Sequence, residues 1–331
     1  MISSQIERLL ERSRVPGCSM AVLHDGVVDF VGTFGQRSAA SGQPVTPETV
    51  FQAASLGKPL LAYIALQLVD EDLLDLDAPL HHQVPASRRP NVAGADAVSA
   101  RMLLSHTSGL PNWRRRGQQL RLQWTPGERF GYSGEGYLYL QSAIEHLTGQ
   151  SLQALAHNRL FEPLGLRRTS YVWQPALERD AAVGHNADRR PRAPSRPSRP
   201  AGSYSLLTTA GEYAGLTASL WLPATGASTT QGQRVADRML TPSVWLNNGI
   251  AWGLGWGLQI TDGDTVIWHW GDNPGFKSFV AASRRLGSGV VIMTNGERGL
   301  ALCREVVEST TPLGPDVFGW LAAFYGVAAI T

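Results

Sequence analysis

Two apolar periods, one helical and one alternating, divide this chain into stretches. "MISSQIERLLERSRVPG" mixes apolar and charged residues as an amphipathic helix does. "CSMAVLHDGVVDFVGTFG", Cys18 to Gly35, predicts two short strands turned at Asp25-Gly26, a strong hairpin signal. The apolar run "FQAASLGKPLLAYIALQ" then predicts a helix from near Ser55 to about Asp70, and "LLDLDAPL" reads as a turn. From there to about Leu166 the pattern is helical with Gly and Pro punctuation. One helix in it spans Glu135 to Thr148, with Gly149 as its stop.

The remainder returns to strands. "DRRPRAPSRPSRPAGS", Asp188 to Ser203, is a poor core former and reads as a surface loop. A helix follows from about Ala210 to Leu222. "WGLGWGLQI", "TVIWHWG", "FKSFVAAS" and "GVVIMTNG" then form four strand-like runs separated by Gly, Asp and Asn, the pattern of an antiparallel meander. The last helices span about Leu300 to Glu308 and Pro315 to Tyr325. Strands at both ends with helices between imply an α/β body, residues 1–75 and 201–331, interrupted by a helical insertion, 76–200, that ends in the Arg/Pro-rich loop. No internal repeat is apparent.

Composition narrows the class. Hydrophobic content of 43% with 17% charge over 331 residues describes a globular chain with ample core material. A formal charge of +2 does not argue for nucleic acid or membrane surfaces as partners, and the arginine runs at 114–116 and 189–199 read as solvated loops. Cys18 and Cys303 are far apart, and no disulfide can be deduced from them. Without a basic segment followed by an apolar one at the start, or an apolar span near 18 residues, the expectation is a soluble, cytoplasmic protein.

One feature of the charge pattern points to chemistry. Of 29 basic residues only Lys58 and Lys277 are lysine. Lysine can lose its proton at accessible cost and arginine cannot. Ser55 and Lys58, three apart, share a helix face. If Ser55 sits at the helix start, its hydroxyl meets free N–H groups and the positive end of the macrodipole. A free lysine is neutral in only about one molecule in 2,500 at pH 7, so bringing its pKa near 7 costs about 4–5 kcal/mol, which burial or nearby cations must supply. The Ser-x-x-Lys spacing alone is weak and needs partners. "FGYSGEGYLYLQ" places Tyr132 in a Gly-flanked turn before a helix, where a phenol could relay a proton, or simply pack. "HWGDNPGF" places His269, Trp270 and Gly271 at a strand end. Glycine there permits close approach by a ligand, although a bulge before a hairpin would look the same.

These motifs, with "LLSHTSGLP", "TPGERFGYSGEGYLYLQ", "PLGLRRTSY", "AGSYSLLTTAGEYAGL" and "HWGDNPGFKSF", occur in the order seen in serine hydrolases of the class C beta-lactamase and penicillin-binding-protein group, and the chain resembles that family from about Pro16 to Gly296. The resemblance implies a mostly antiparallel sheet flanked by helices, with an inserted all-helical domain. It implies Ser55 as acylated nucleophile, Lys58 as its base and Tyr132 as proton relay. His269-Trp270-Gly271 would line the substrate channel, and the N–H groups of Ser55 and Asp272 would form the oxyanion hole. No metal or cofactor is expected.

Two departures bear on substrate. Many relatives carry Tyr-x-Asn, whereas here the third position is Gly134, which removes a partner for a substrate amide. The following Glu135 could reach a substrate amine or position water, or serve as a carboxylate at a helix start. His269 replaces the lysine of true beta-lactamases. With an ordinary pKa near 6.5, it would make activity vary between about pH 6 and 7.5.

His106 reads as a structural turn residue, since no Gly-x-Ser-x-Gly elbow surrounds Ser55, and His81-His82 lacks a metal-site context. Most tryptophans read as core, some as walls of an apolar acyl pocket, with Tyr204 a candidate for the rim. The expected function is a serine hydrolase that forms an acyl-enzyme on Ser55 and acts on a small-molecule ester, amide or peptide, as a carboxylesterase or D-aminopeptidase would. The alternatives are an acyltransferase or peptide-cyclising enzyme, a beta-lactamase, or a sensor without turnover. The sequence leaves the oligomeric state open.

Overall fold

In the computed structural model, residues 2–114, 117–222, 230–310 and 316–325 are described. Arg115 and Arg116 of the first arginine run, and the expected helix start at Pro315, lie outside them. After helix α1 (Ile2–Ser13) the chain forms β1 (Gly17–His24), β2 (Val27–Ser38), β3 (Gln43–Pro44) and β4 (Phe51–Ala54), then α2 (Gly57–Asp70). Four helices follow, α3 (Leu80–Gln83), α4 (Ala100–Leu104), α5 (Gly134–Thr148) and α6 (Leu152–Ala156), before β5 (Leu206–Thr208), α7 (Ala210–Trp221) and α8 (Thr230–Met239). The chain then forms β6 (Val244–Asn247), β7 (Ile250–Trp252), β8 (Gly257–Thr261), β9 (Asp264–Asn273), β10 (Phe276–Ser283), β11 (Ser288–Thr294), α9 (Gly299–Thr310) and α10 (Asp316–Tyr325).

Nine strands make one sheet in the order β3-β2-β1-β11-β10-β9-β8-β7-β6, every pair antiparallel. The expected hairpin is there: Asp25 and Gly26 both have positive φ, 50° and 75°, as a two-residue turn of the right twist demands. Period-2 alternation sorts the side chains of the central strands into two cores. Val291 and Met293 of β11, Val280 and Ala282 of β10 and Ile267 of β9 face the core that holds α2 and α7. Val290, Ile292, Phe279, Ala281, Trp268 and Trp270 face the core closed by α1, α9 and α10. His269 alternates with Trp268 and Trp270, so the pleat turns it to the α2 side.

α2 is apolar on all sides and buried from Gly57 to Leu66, as a helix in the middle of a protein must be. It begins two residues later than the apolar pattern predicts, which leaves Ser55 in the turn between β4 and α2. Between α2 and β5 the described residues contain helices and no named strand. α5 is long and ends on Gly149 at φ 66°, whereas α3, α4 and α6 are of four or five residues, because Gly and Pro interrupt the helical period. "WGLGWGLQI" divides between β7 and β8. β4 and β5, which form a two-stranded sheet of their own, escape the sequence pattern because each is too short to show a period.

β4 is seated on the main sheet through glycine. A Cβ on Gly271 of β9 would fall inside contact distance of the Ala53 carbonyl oxygen and of Ser278 Oγ. Ser278 Oγ itself donates to that carbonyl at 3.2 Å. The expected close approach at Gly271 is thus made by the protein's own backbone rather than by a ligand. Gly271→Ala should force β4 off the sheet and lower stability by about 1–3 kcal/mol, measurable by urea denaturation.

Candidate active site

Ser55 follows Ala54, whose φ of 52° is one that few non-glycine residues adopt. The turn it sits in is held from both flanks: Tyr213 Oη donates to the Leu56 carbonyl at 2.9 Å and Tyr171 Oη to the Gly57 carbonyl at 2.6 Å. One turn on, Lys58 points back at the serine. Its Nζ lies 2.9 Å from Ser55 Oγ and donates to the Ser203 carbonyl at 2.7 Å. Ser55 Oγ is 3.2 Å from the same carbonyl. Lys58 is fully buried, no carboxylate pairs with it among the described residues, and burial holds its pKa well below that of an ordinary lysine. In its unprotonated form the amine can donate one N–H to Ser203 and keep its lone pair for the serine proton.

Aromatic and imidazole rings enclose this pair. The Tyr132 ring lies with its centroid 4.8 Å from Lys58 Nζ, and that of Tyr137 at 5.6 Å. Burial raises the Tyr132 phenol, the Ser55 hydroxyl partly offsetting the shift, so it carries its proton. His106 packs on Tyr132 with ring centroids 4.3 Å apart. It occupies a turn with φ 58°, and its Nδ1 accepts the Ser133 N–H at 3.0 Å. The structural role expected of it is the one it has: it fixes the residue after Tyr132.

His269 does not behave as expected. It is fully buried, its Nδ1 lies 2.8 Å from the Trp270 carbonyl, and burial, reinforced by the charge of Lys58, lowers its pKa to about 3. The imidazole is neutral throughout the physiological range and cannot supply the expected variation between pH 6 and 7.5. The sequence suggested an ordinary titration because the position is polar; the pleat and α2 together remove its water.

The register of β9 sets the direction of the Asp272 N–H. Asn273 and Phe276 flank the two-residue turn Pro274-Gly275 and so form the hydrogen-bonded pair. Alternation then makes Asp272 opposite Lys277 the non-bonded pair, with its N–H directed away from β10. β8 pairs with β9 only as far as Trp268, which leaves that N–H beyond the end of the neighbouring strand. The Asp272 carboxylate is held by Lys277, whose Nζ also binds Glu297, each at 2.9 Å.

Glu135 takes the second of its two expected roles, a carboxylate in the first turn of α5, the helix that begins at Gly134. Glu135 is buried and clamped by Arg114, Nε to Oε1 at 2.9 Å and Nη2 to Oε2 at 2.7 Å, with the Arg114 N–H added at 3.1 Å. Burial alone would raise its pKa; the arginine outweighs that and lowers it. It is therefore not free to meet a substrate amine or position water. Gly134 is covered by the indole of Trp113. Trp113 is one of the tryptophans read as core or as walls of an acyl pocket, and it lies on the site. The Ser203 carbonyl is a site group that sequence reasoning did not single out, since only the position of "AGSYS" within a recognised landmark hinted at it.

A nine-stranded antiparallel sheet between helical layers, with Ser55, Lys58 and Tyr132 assembled beside its central strands, defines a penicillin-binding-protein-like serine hydrolase fold. The chain belongs to the beta-lactamase family, whose profile matches residues 2–304. It is 29% identical over 326 residues to penicillin-binding protein 4 of Amycolatopsis lactamdurans, covering 88% of this chain and 84% of that one. It is 23% identical to protein flp of Staphylococcus aureus (strain MRSA252), covering 89% of this chain but 62% of that protein. In structure it resembles a class C beta-lactamase (TM-score 0.79, 19% identity, 95% of this chain and 99% of the other). It also resembles the D-alanine carboxypeptidase AmpC from Burkholderia cenocepacia (TM-score 0.76, 22% identity, 89% and 93%). No described helix is long and apolar enough to cross a membrane.

Two predictions follow from the burial. Lys58→Arg places a permanent charge where the described residues offer no counter-charge and should cost about 3–5 kcal/mol by chemical denaturation, more than Lys58→Met. For His269, the folded value of about 3 lies below the ordinary 6.5, so between those values the unfolded chain binds a proton that the folded one refuses. Stability should fall as pH drops from about 6.5 toward 3. Thermal midpoints across that range should fall less steeply for His269→Asn, and kcat/KM should show no His269 inflection between pH 6 and 7.5.

Proposed function

We propose that the protein is a carboxylesterase that forms an acyl-enzyme on Ser55 and hydrolyses a neutral ester. The observation that carries this reading is the buried, unpaired amine of Lys58 2.9 Å from Ser55 Oγ. The lone pair of that amine takes the serine proton as Oγ attacks the ester carbonyl carbon. The oxyanion that forms accepts the N–H groups of Ser55 and Asp272. When the tetrahedral intermediate collapses, the bond to the leaving alkoxide breaks. The alkoxide receives a proton through the Tyr132 phenol, which is resupplied by the Lys58 ammonium. Water then attacks the acyl-enzyme along the reverse route, releasing the carboxylic acid and restoring Ser55.

The charges around the site favour a neutral substrate. Among the described residues, Lys277 is committed to Asp272 and Glu297, Arg114 to Glu135, and His269 is neutral. None is left to bind a free carboxylate beside the scissile bond, as a penicillin or a peptide C-terminus would require. The carboxylates are equally engaged, so the amine of a D-aminoacyl substrate lacks a partner.

Intact-mass analysis after incubation with 4-nitrophenyl esters, D-aminoacyl amides and a penicillin tests this reading. We expect an acyl-mass adduct from the neutral esters on the wild type, absent in Ser55→Ala, that clears as nitrophenol accumulates. Adducts from the amides or the penicillin alone would overturn the choice of ester. A wild type left unmodified by every probe would overturn the acyl-enzyme itself.

A further inference from the structure

The described surface holds few large apolar side chains in the open, and two of them converge beside the serine. Trp113 is 45% exposed and Tyr204 is 41% exposed, with ring centroids 5.7 Å apart and planes at 75°. They come from segments far apart in sequence, and both are anchored by backbone that belongs to the site.

The anchoring of Trp113 is dense. On its N-terminal side the Asn112 carbonyl accepts the N–H groups of Gly134 and Glu135, each at 3.1 Å, and Asn112 Oδ1 accepts the Gly134 N–H again at 3.0 Å. Ser133 Oγ donates to the Pro111 carbonyl at 2.9 Å. On its C-terminal side Arg114 grips Glu135. The indole between these anchors lies over Gly134, where a Cβ would stand 2.5–2.8 Å from three of its ring carbons. Gly134 and Trp113 are thus a matched pair, and any larger residue at 134 must push the indole aside. Tyr204 is anchored from the other flank. The preceding carbonyl, of Ser203, receives Lys58 Nζ, and its own carbonyl accepts Asn273 Nδ2 at 3.1 Å, one residue beyond Asp272.

An exposed indole gains nothing from water, yet this one is held in place by five hydrogen bonds and an ion pair of its neighbours. We infer that Trp113 and Tyr204 are specificity-determining residues that form an aromatic wall for the acyl part of the substrate and select an apolar aromatic acyl group over a short aliphatic one. The inference rests on the acyl-enzyme reading above and adds the class of acid released. Ring edges and faces offer such a group offset and edge-on contact. The indole lies over Gly134, two residues from Tyr132, and Tyr204 directly follows Ser203, so the wall stands where the acyl group of an ester on Ser55 leaves the catalytic atoms.

The test compares 4-nitrophenyl phenylacetate with 4-nitrophenyl acetate on the wild type, Trp113→Ala, Tyr204→Ala and Gly134→Asn, with thermal unfolding as the control for folding. The ratio of kcat/KM for phenylacetate to that for acetate should fall about tenfold in Trp113→Ala, largely through KM. It should fall in the same direction in Tyr204→Ala, and also in Gly134→Asn, where the indole is displaced. In a Ser55→Ala background, which removes chemistry, quenching of tryptophan fluorescence by the phenylacetate ester should weaken on adding Trp113→Ala. An unchanged ratio in folded Trp113→Ala, together with unchanged binding in the Ser55→Ala background, would overturn the wall. Absence of ester turnover by the wild type would instead overturn the acyl-enzyme reading, with the fluorescence titration still deciding whether the wall binds an aryl group.

Discussion

An amine buried with no counter-charge among the described residues, one turn from a hydroxyl, is the constraint on which this molecule depends. An ammonium at that depth loses its hydration and gains no carboxylate among the described residues in return, so the affinity of Lys58 for a proton falls well below that of an ordinary lysine. The free energy that lowers its affinity for a proton comes from the fold: α2 must be central enough to have no wet side, and the rings of Tyr132 and Tyr137 must close over the nitrogen. The same burial keeps the Tyr132 phenol protonated and His106 and His269 neutral. Burial thus acts on every one of these groups in the same sense, against its charged form.

Three parts of the chain fix that geometry. β4 brings Ser55 to the sheet because Gly271 leaves room for the Ala53 carbonyl. The turn into α2 is held by the hydroxyls of Tyr171 and Tyr213, from segments more than a hundred residues downstream. The Ser203 carbonyl, just before β5, accepts Lys58 Nζ and aims its lone pair at the serine. Each contact is a hydrogen bond of ordinary length, and the precision of the site comes from their being satisfied together.

Around this centre, among the described residues, Lys277 and Arg114 are already paired. Lys277 is used to hold Asp272 and Glu297, and Arg114 to hold Glu135, so that charge serves the walls of the site instead of its ligand. What remains open is aromatic. On the proposed reading, Ser55, Lys58 and Tyr132 supply the chemistry, and the ion pairs and rings around them set what can bind.

Local physics made much of this legible in the amino-acid order. The meander of β9 to β11 could be read because a strand's period is two residues, the Asp25-Gly26 hairpin because both positions need positive φ, and the end of α5 at Gly149 for the same reason. The spacing of Ser55 and Lys58 announced that they share a face. Tertiary structure alone decided the rest. Whether Lys58 is charged depends on what covers it, and His269 titrates or not according to which face of the pleat meets α2. Glu135 is bound by an arginine twenty-one residues away, and Gly134 by an indole from the same loop. β4 and β5 pair across about 150 residues with too few positions to show a period. Periodicity and turn chemistry act between near neighbours and are written in the sequence directly, whereas desolvation and side-chain pairing are properties of the assembled space.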